Sequence, residues 1–169
     1  MKKIWLFLGC LMVLATGCHR GSALTRLSDE DLGKKCVWID WREEEEEVIK
    51  SFAKPLATAD KLEAIPKGED LSFRYHDQEY KLPLTHSPHD RSVAISSLVE
   101  ILKDNYDIRL LKWSKDTDSR AFLILPKAAW SSLEKENPAW AQSHFEAVPV
   151  GTDFFAKGEP VPYVHHDNP

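Results

Sequence analysis

An alternation of apolar and polar side chains over residues 71–84 constrains the fold more than any other feature of this chain. Apolar side chains recur at every second position on each side of Asp77-Gln78: Leu71, Phe73, Tyr75, Tyr80, Leu82 and Leu84. A two-residue turn at Asp77-Gln78 places Tyr75 opposite Tyr80, and the apolar side chains then share one face. The pattern predicts an antiparallel β-hairpin. Pro83 donates no hydrogen bond, which places its strand near an edge or at its end.

A second hairpin and further helices are predicted downstream. A helix capped by Asp90 and closing near Asn105 is indicated by the helical spacing of Ile95, Leu98, Val99 and Leu102. Residues 106–113 and 120–125 predict two strands, and helices are expected after Pro126 and from Asn137-Pro138. The order hairpin, helix, hairpin, helix predicts an α+β fold, in which an antiparallel sheet of two β-hairpins has helices packed on one face.

Upstream of the hairpin the signals are shorter. Residues 36–41 alternate and predict a strand, and residues 42–52 predict a helix. Residues 54–70 contain two prolines and Gly68, so a connection is expected there. One α+β domain is predicted over residues 35–150, followed by an extended C-terminal tail at residues 151–169.

The first 17 residues have the layout of an export signal. Lys2 and Lys3 supply positive charge, and the apolar stretch that follows is shorter than the roughly 20 residues a membrane span needs. Small residues then precede a cysteine in Val13-Leu14-Ala15-Thr16-Gly17-Cys18. This run resembles the lipobox of bacterial lipoproteins, with Ala15 where leucine is usual. The resemblance implies a signal peptide at residues 1–17 and a lipid on Cys18.

Two other interpretations of this segment stay open. Cys10 is a rival site, although it leaves an apolar region of about six residues, below the usual 7 to 15. The other interpretation is an ordinary signal peptide that is cleaved at Gly17 and leaves a free cysteine. We prefer lipidation of Cys18 because the charged start, the apolar region and the small residues precede it in the order that a signal peptide requires.

Lipidation of Cys18 changes the expected location from soluble to anchored in a membrane. Each buried methylene contributes about 0.8 kcal/mol, so several acyl chains on one residue hold firmly. His19 stands where an aspartate resembles an inner-membrane retention signal in enteric-type bacteria. The outer membrane is therefore favoured, with a polar tether at residues 18–34 and a domain that faces the periplasm.

The net charge limits the kinds of partner that the protein can bind, and the cysteine content limits the disulfides that could stabilise it. The formal net charge is −5, and loss of Lys2 and Lys3 with the leader lowers it by two more. An acidic surface repels phosphate backbones, which argues against nucleic acid and suits a basic protein partner. With Cys10 removed and Cys18 acylated, Cys36 has no disulfide partner and is expected to be a buried apolar residue.

A candidate protein-binding surface follows the first strand. It combines two tryptophans with a run of acids: Trp38, Trp41, Glu43, Glu44, Glu45, Glu46 and Glu47. Trp38 and Trp41 lie opposite in phase, so one of them is expected to be exposed, and an exposed tryptophan beside carboxylates suits an interface. The alternative is a solvated helix face, in which Glu46 pairs with Lys50, and two buried tryptophans.

Histidines and carboxylates occur together in two places: His86, His89 and Asp90, and His165, His166 and Asp167. These groups are zinc and copper ligands, but neither spacing is a recognised metal motif. No Gly-x-Ser-x-Gly elbow, HExxH motif or phosphate-binding glycine loop is present. We expect no enzyme and no cofactor, with His86, His89 and Asp90 kept as metal candidates.

Three short segments, residues 105–111, 119–126 and 130–134, resemble segments of polymorphic-toxin immunity families. The resemblance implies a lipoprotein that binds and neutralises a toxin acting in the cell envelope. The alternative function is that of a structural or assembly lipoprotein of the envelope.

Overall fold

A computed structural model of the protein describes residues 23–156 and 160–166. Five α-helices and two antiparallel sheets form over these residues, so the prediction of an α+β fold is confirmed. The predicted signal peptide and Cys18 lie outside the described residues. Within the described ranges, no helix is long and apolar enough to cross a membrane.

The elements alternate along the chain. The helices are α1 (Asp29–Gly33), α2 (Glu45–Ala53), α3 (Asp90–Leu102), α4 (Lys127–Glu136) and α5 (Pro138–His144), with a 3-10 helix at Lys112–Asp116. The strands are β1 (Val37–Asp40), β2 (Leu62–Lys67), β3 (Asp70–Tyr75), β4 (Gln78–Lys81), β5 (Tyr106–Leu111), β6 (Ser119–Pro126) and β7 (Phe145–Ala147). Pro138 stands in the first turn of α5, where a proline costs no helical hydrogen bond.

The larger sheet has the strand order β1-β6-β5-β7, and every neighbouring pair is antiparallel. The predicted second hairpin forms its centre, where Ile108 lies opposite Ile124 and Leu110 opposite Phe122. The second strand of that hairpin, β6, is buried at four successive positions, from Ala121 to Ile124. A strand that is apolar on both faces has to be covered on both faces.

Helices cover both faces of the larger sheet, which corrects the prediction that they pack on one. On one face, α2 and α3 pack with Phe122 of β6 in the main core. On the other face, Trp130 of α4 and Leu32 of α1 pack with Leu123 in a second apolar cluster. The consecutive apolar residues of β6 are the physical reason for this two-sided arrangement.

A separate three-stranded sheet, β2-β3-β4, corrects the prediction of a single sheet. Strand β2 forms within residues 54–70, which were expected to be a connection. It is an edge strand, so Pro66 can lie opposite Leu71 without removing a hydrogen bond from the sheet centre. Gly68, with φ of 67°, supplies the left-handed turn that joins β2 to β3.

The predicted hairpin at residues 71–84 forms, but its register differs by two residues. Tyr75 lies opposite Gln78 and Phe73 opposite Tyr80. The turn is His76-Asp77, with φ of 48° and 63°, in place of Asp77-Gln78. Two successive positive φ angles give a turn whose twist matches that of the strands. A shift of two residues keeps each side chain on its predicted face, so Phe73, Tyr75 and Tyr80 are still buried.

Two boundaries near the N-terminus also differ from expectation. Part of the predicted tether is folded, because α1 lies within residues 18–34 and buries Leu32. Helix α2 begins at Glu45, three residues later than predicted. Glu43 lies before the helix and accepts a hydrogen bond from the backbone N–H of Asp40 at 3.2 Å, which closes the turn after β1.

The described residues from Gly151 onward pack against α3, which corrects the prediction of an extended tail. Three serine hydroxyls of α3 accept backbone N–H groups from it: Ser96 from Gly151 at 3.1 Å, Ser92 from Phe154 at 3.1 Å and Ser97 from Val164 at 3.0 Å. Phe154, Val161 and Val164 are buried. The described part of this C-terminal segment therefore belongs to the domain.

Candidate functional site

A cavity of about 400 Å³ opens where four parts of the chain meet. These parts are the residue after β1, the N-terminal end of α3, the loop before β6 and the C-terminal segment. The lining residues are Trp41, Pro88, His89, Arg91, Thr117, Asp118, Arg120, Asp153, Phe155 and Ala156. The site is thus assembled by the fold from residues far apart in sequence, and no short motif marks it.

The carboxylate of Asp153 fixes the floor of the cavity. One of its oxygens accepts the hydroxyl of Ser92 at 2.8 Å and the backbone N–H groups of Phe155 and Ala156 at 2.8 and 3.1 Å. The other oxygen contacts Nδ1 of His89. Burial raises the pKa of Asp153, but these hydrogen bonds outweigh burial and leave the pKa below its usual value.

Ser92, His89 and Asp153 do not form a nucleophilic triad. Both Ser92 and His89 bond to Asp153, whereas a triad requires the histidine between the serine and the acid. Ser92 is also fully buried. These three residues therefore hold the C-terminal segment in place.

Arg120 holds the loop before β6, which forms one side of the cavity. Its Nε donates to the carbonyl of Phe154 at 2.9 Å, and its Nη1 donates to the carbonyl of Thr117 at 2.7 Å. Its guanidinium also lies over the ring of Phe155, 5.2 Å from the ring centre. Burial lowers the pKa of Arg120. These contacts make Arg120 a residue that positions the loop and Phe155.

Arg91 lines the same cavity, and its guanidinium donates no hydrogen bond to a described residue. Its guanidinium lies 5.7 Å from the centre of the Phe155 ring, and its Nε is shielded from solvent and has no hydrogen-bond partner among the described residues. No carboxylate among the described residues lies within ion-pairing distance of it. Arg91 therefore differs from Arg109, whose guanidinium binds both Asp107 and Glu134.

Of the two tryptophans predicted to alternate, Trp41 is exposed and Trp38 is partly buried. Trp41 is 45% exposed at the mouth of the cavity, with Arg42 5.0 Å from its ring centre. Trp38 donates from Nε1 to the carbonyl of Gly33 at 2.8 Å and packs 5.2 Å from Trp113. The structure thus brings Trp41, and not Trp38, to the candidate site.

The five glutamates are engaged mainly within their own helix and turn. Glu46 and Glu47 pair with Lys50 at 2.8 and 2.6 Å, as expected for a solvated helix face. Glu43 accepts the hydroxyl of Ser51 at 3.3 Å. Burial raises the pKa of Glu45. Glu44 precedes the first helical turn and is exposed, so the run adds negative charge beside Trp41 without lining the cavity.

Of the metal candidates, His86 is exposed in the loop before α3, and His89 and Asp90 bind different partners. Asp90 is the first residue of α3, and its carboxylate bonds backward to the N–H and hydroxyl of Thr85 at 2.9 and 2.7 Å. It closes the preceding loop and does not cap the helix as predicted. His89 contacts Asp153. In the described part of the chain, no three His, Cys, Asp or Glu side chains are placed to hold a metal ion.

The second histidine group is also dispersed. His166 pairs with Asp104 at 2.9 Å, and the ring of His165 lies 4.4 Å from that of Tyr163. Asp167 lies outside the described residues.

Sequence reasoning missed Arg91, Asp153 and Phe155. Arg91 looks like an ordinary polar residue in the first turn of a helix. Asp153 and Phe155 fall in a segment expected to be extended. The available signal was Phe154-Phe155, a pair of large apolar side chains that is followed by Val161 and Val164 in the same proline-containing segment.

Comparisons of the chain with protein-family models, with curated proteins and with solved structures found no match. The function has to be inferred from the chemistry of the cavity and of the leader.

Proposed function

We propose that the protein is a lipid-anchored binding module that faces the periplasm and engages a protein partner. The observation that carries this proposal is the position of Trp41, 45% exposed at the mouth of a preformed cavity. A large aromatic side chain costs little conformational entropy on binding and contributes strongly to interface energy. Trp41 is therefore the expected centre of the interface.

Trp41 has side chains of both charges around it, Arg42 among them, and the acidic balance of the whole chain favours a basic partner. Asp40, Glu44 and Asp118 lie close to it in sequence or line the same cavity, and the chain as a whole is acidic. Complementary charge steers association and suppresses wrong partners. A basic toxin delivered into the envelope fits this surface, and we propose that the protein neutralises such a toxin by binding it.

The anchor rests on the lipobox-like run that ends at Cys18. A cell fed with an alkyne analogue of palmitate should label the wild-type protein and the Cys10→Ser variant. The Cys18→Ser variant should lose the label and leave the membrane fraction. If the label persists in Cys18→Ser and disappears in Cys10→Ser, Cys10 is the lipidated residue. If none of the three proteins is labelled, the proposed lipid anchor is wrong.

A growth test separates neutralisation from a structural role. A strain lacking the gene should become sensitive to the secreted fraction of competing strains and grow normally without it. Wild-type protein should restore resistance, whereas the Trp41→Ala variant should not, provided that it accumulates to the same level. An envelope defect without any challenge would favour the structural or assembly alternative, and unchanged growth under every challenge would contradict neutralisation.

A further inference from the structure

The hydrogen-bond acceptors on the floor of the cavity beside Trp41 are already bonded within the protein. Asp153 accepts from Ser92, from two backbone N–H groups and from His89, and its side chain is 2% exposed. The carbonyls of Phe154 and Thr117 are taken by Arg120. A group that reaches the floor therefore finds these acceptors occupied, and the free carboxylate of the lining, that of Asp118, lies at the exposed opening.

The guanidinium of Arg91 can still donate hydrogen bonds. Its shielded Nε has no partner, and within the described ranges its guanidinium makes no ion pair. A buried donor left without an acceptor costs about 1–3 kcal/mol. Because Nε is shielded, an acceptor group that enters the cavity has to bind the terminal nitrogens of the guanidinium. A guanidinium also presents several N–H groups in one plane, which matches the two oxygens of a carboxylate.

The backbone adds to the preference for an anion. Pro88, His89 and Arg91 place the cavity at the N-terminal end of α3, a helix of 13 residues. The N-terminus of a helix carries partial positive charge, which favours a negative group in its first turn. The field of α3 and the charge of Arg91 thus act in the same direction.

The apolar walls limit the shape of the ligand. Trp41 and Phe155 face the cavity together with Pro88 and Ala156. A carboxylate on a short methylene stem fits such a space, since the stem can contact the rings while the oxygens reach Arg91. We propose that this cavity receives the side chain of a glutamate or aspartate from the protein partner, with Arg91 as its recognition residue.

Acidic neighbours surround this site. The backbone N–H of Arg42 is the main cause of the lowered pKa of Asp40, and the charge of Arg91 adds to it. Burial raises the pKa of Glu45, and Arg91 opposes that rise, so the charge of Arg91 reaches both carboxylates. Neither forms an ion pair with it, and Asp118 is exposed at the opening. A partner that is basic overall and carries one acidic side chain at the right place satisfies both the surface and the cavity. That the side chain belongs to a protein partner rests on the proposed function.

The test uses two peptides that differ in one group. Acetyl-Ala-Glu-Ala-amide and acetyl-Ala-Gln-Ala-amide are titrated into ¹⁵N-labelled protein, residues 18–169 with Cys18→Ser, which retains every described residue. The resonances followed are the indole N–H of Trp41 and Nε–H of Arg91. The glutamate peptide should give saturable shifts with a dissociation constant of about 1–10 mM, and the glutamine peptide should bind at least about tenfold more weakly.

Variants locate the effect. Arg91→Gln should weaken the glutamate peptide at least about tenfold, while Arg74→Gln, on the separate three-stranded sheet, should leave binding unchanged. Absence of saturable shifts, equal binding of the two peptides, or full binding by Arg91→Gln would each overturn the proposal. The peptide comparison on the unchanged protein decides the question even if Arg91→Gln fails to fold. If the peptides do not bind but a protein partner is still captured, the carboxylate site is rejected and the proposed function stands. If the glutamate peptide binds but no protein partner is captured, the proposed function is rejected and the carboxylate site stands.

Discussion

The imidazole of His89 contacts the carboxylate of Asp153 across 64 positions of sequence. This contact joins the N-terminal end of α3 to the C-terminal segment and forms the floor of the cavity beside Trp41. Because Asp153 also binds Ser92 and two backbone N–H groups, the shape of the cavity depends on this single carboxylate. Acid pH and substitutions at Asp153 should therefore act on stability and on binding together.

Asp153 should contribute stability that is lost in acid. Its folded-state pKa is lowered, so its contribution is present above the unfolded pKa of about 3.9 and is lost as pH falls through the folded value. Asp153→Asn should reduce the free energy of unfolding by about 2–4 kcal/mol at pH 7. Urea unfolding at several pH values should show the wild-type and variant curves converging below about pH 4. A gap that stays constant with pH would contradict this account.

The serine contacts of α3 should hold the C-terminal segment. Ser97→Ala removes the acceptor for the N–H of Val164 and should cost about 1–3 kcal/mol. Hydrogen exchange at Val164 should accelerate, and residues 160–166 should become sensitive to carboxypeptidase. Ser143→Ala is the control, since the Ser143 hydroxyl bonds locally to the carbonyl of Trp140. Unchanged exchange at Val164 in Ser97→Ala would show that apolar contacts alone hold the segment.

Cys36 should be unreactive in the folded protein. Burial raises the pKa of its thiol to about 12, so at pH 8 the thiolate fraction is about a thousandfold lower than for a free cysteine. Ellman's reagent should label the Cys18→Ser protein slowly in buffer and rapidly in urea. Rapid labelling in buffer, at the rate of a small thiol, would place Cys36 at the surface.

The turn at His76-Asp77 should accept glycine. Asp77 has φ of 63°, a conformation that costs a residue with a side chain about 1 kcal/mol. Asp77→Gly should raise the free energy of unfolding by up to about 1 kcal/mol. Gln78→Gly, in strand β4, should lower it by about the same amount. Thermal melts of the two variants measure the difference, and destabilisation by Asp77→Gly would argue for a different turn.

The elements that sequence reasoning found are those with strong local periodicity. The alternation of Phe73, Tyr75 and Tyr80 predicts the hairpin, because one face of it must be buried. Its register depends on whether His76 or Gln78 enters the turn, and several residues tolerate positive φ. Strand β2 contains Pro66, which argues against a strand in the sequence, so its pairing with β3 is visible only in three dimensions.

The site was predictable in part. The phase of Trp41 against Trp38 indicates that one of them is exposed, which the structure confirms. The cavity was not predictable, because it depends on contacts between α3 and the C-terminal segment. Ser92 and Ser97 look like solvent-facing residues in the sequence, yet they are buried as acceptors for backbone N–H groups.

The role of Trp41 as the centre of the interface is tested by the amount of partner that the protein holds with and without the Trp41 indole. Residues 18–169 with Cys18→Ser serve as bait for envelope and secreted fractions of the parent organism, and mass spectrometry quantifies what is retained. Trp113→Ala is the matched control, since Trp113 is 39% exposed and lies outside the cavity.

The account predicts one dominant basic partner, bound one to one by the wild type and by Trp113→Ala. Trp41→Ala should bind it about 30-fold more weakly, the effect of a hot-spot residue worth about 2 kcal/mol. Equal retention by Trp41→Ala and Trp113→Ala, or recovery of no stoichiometric partner, would contradict it.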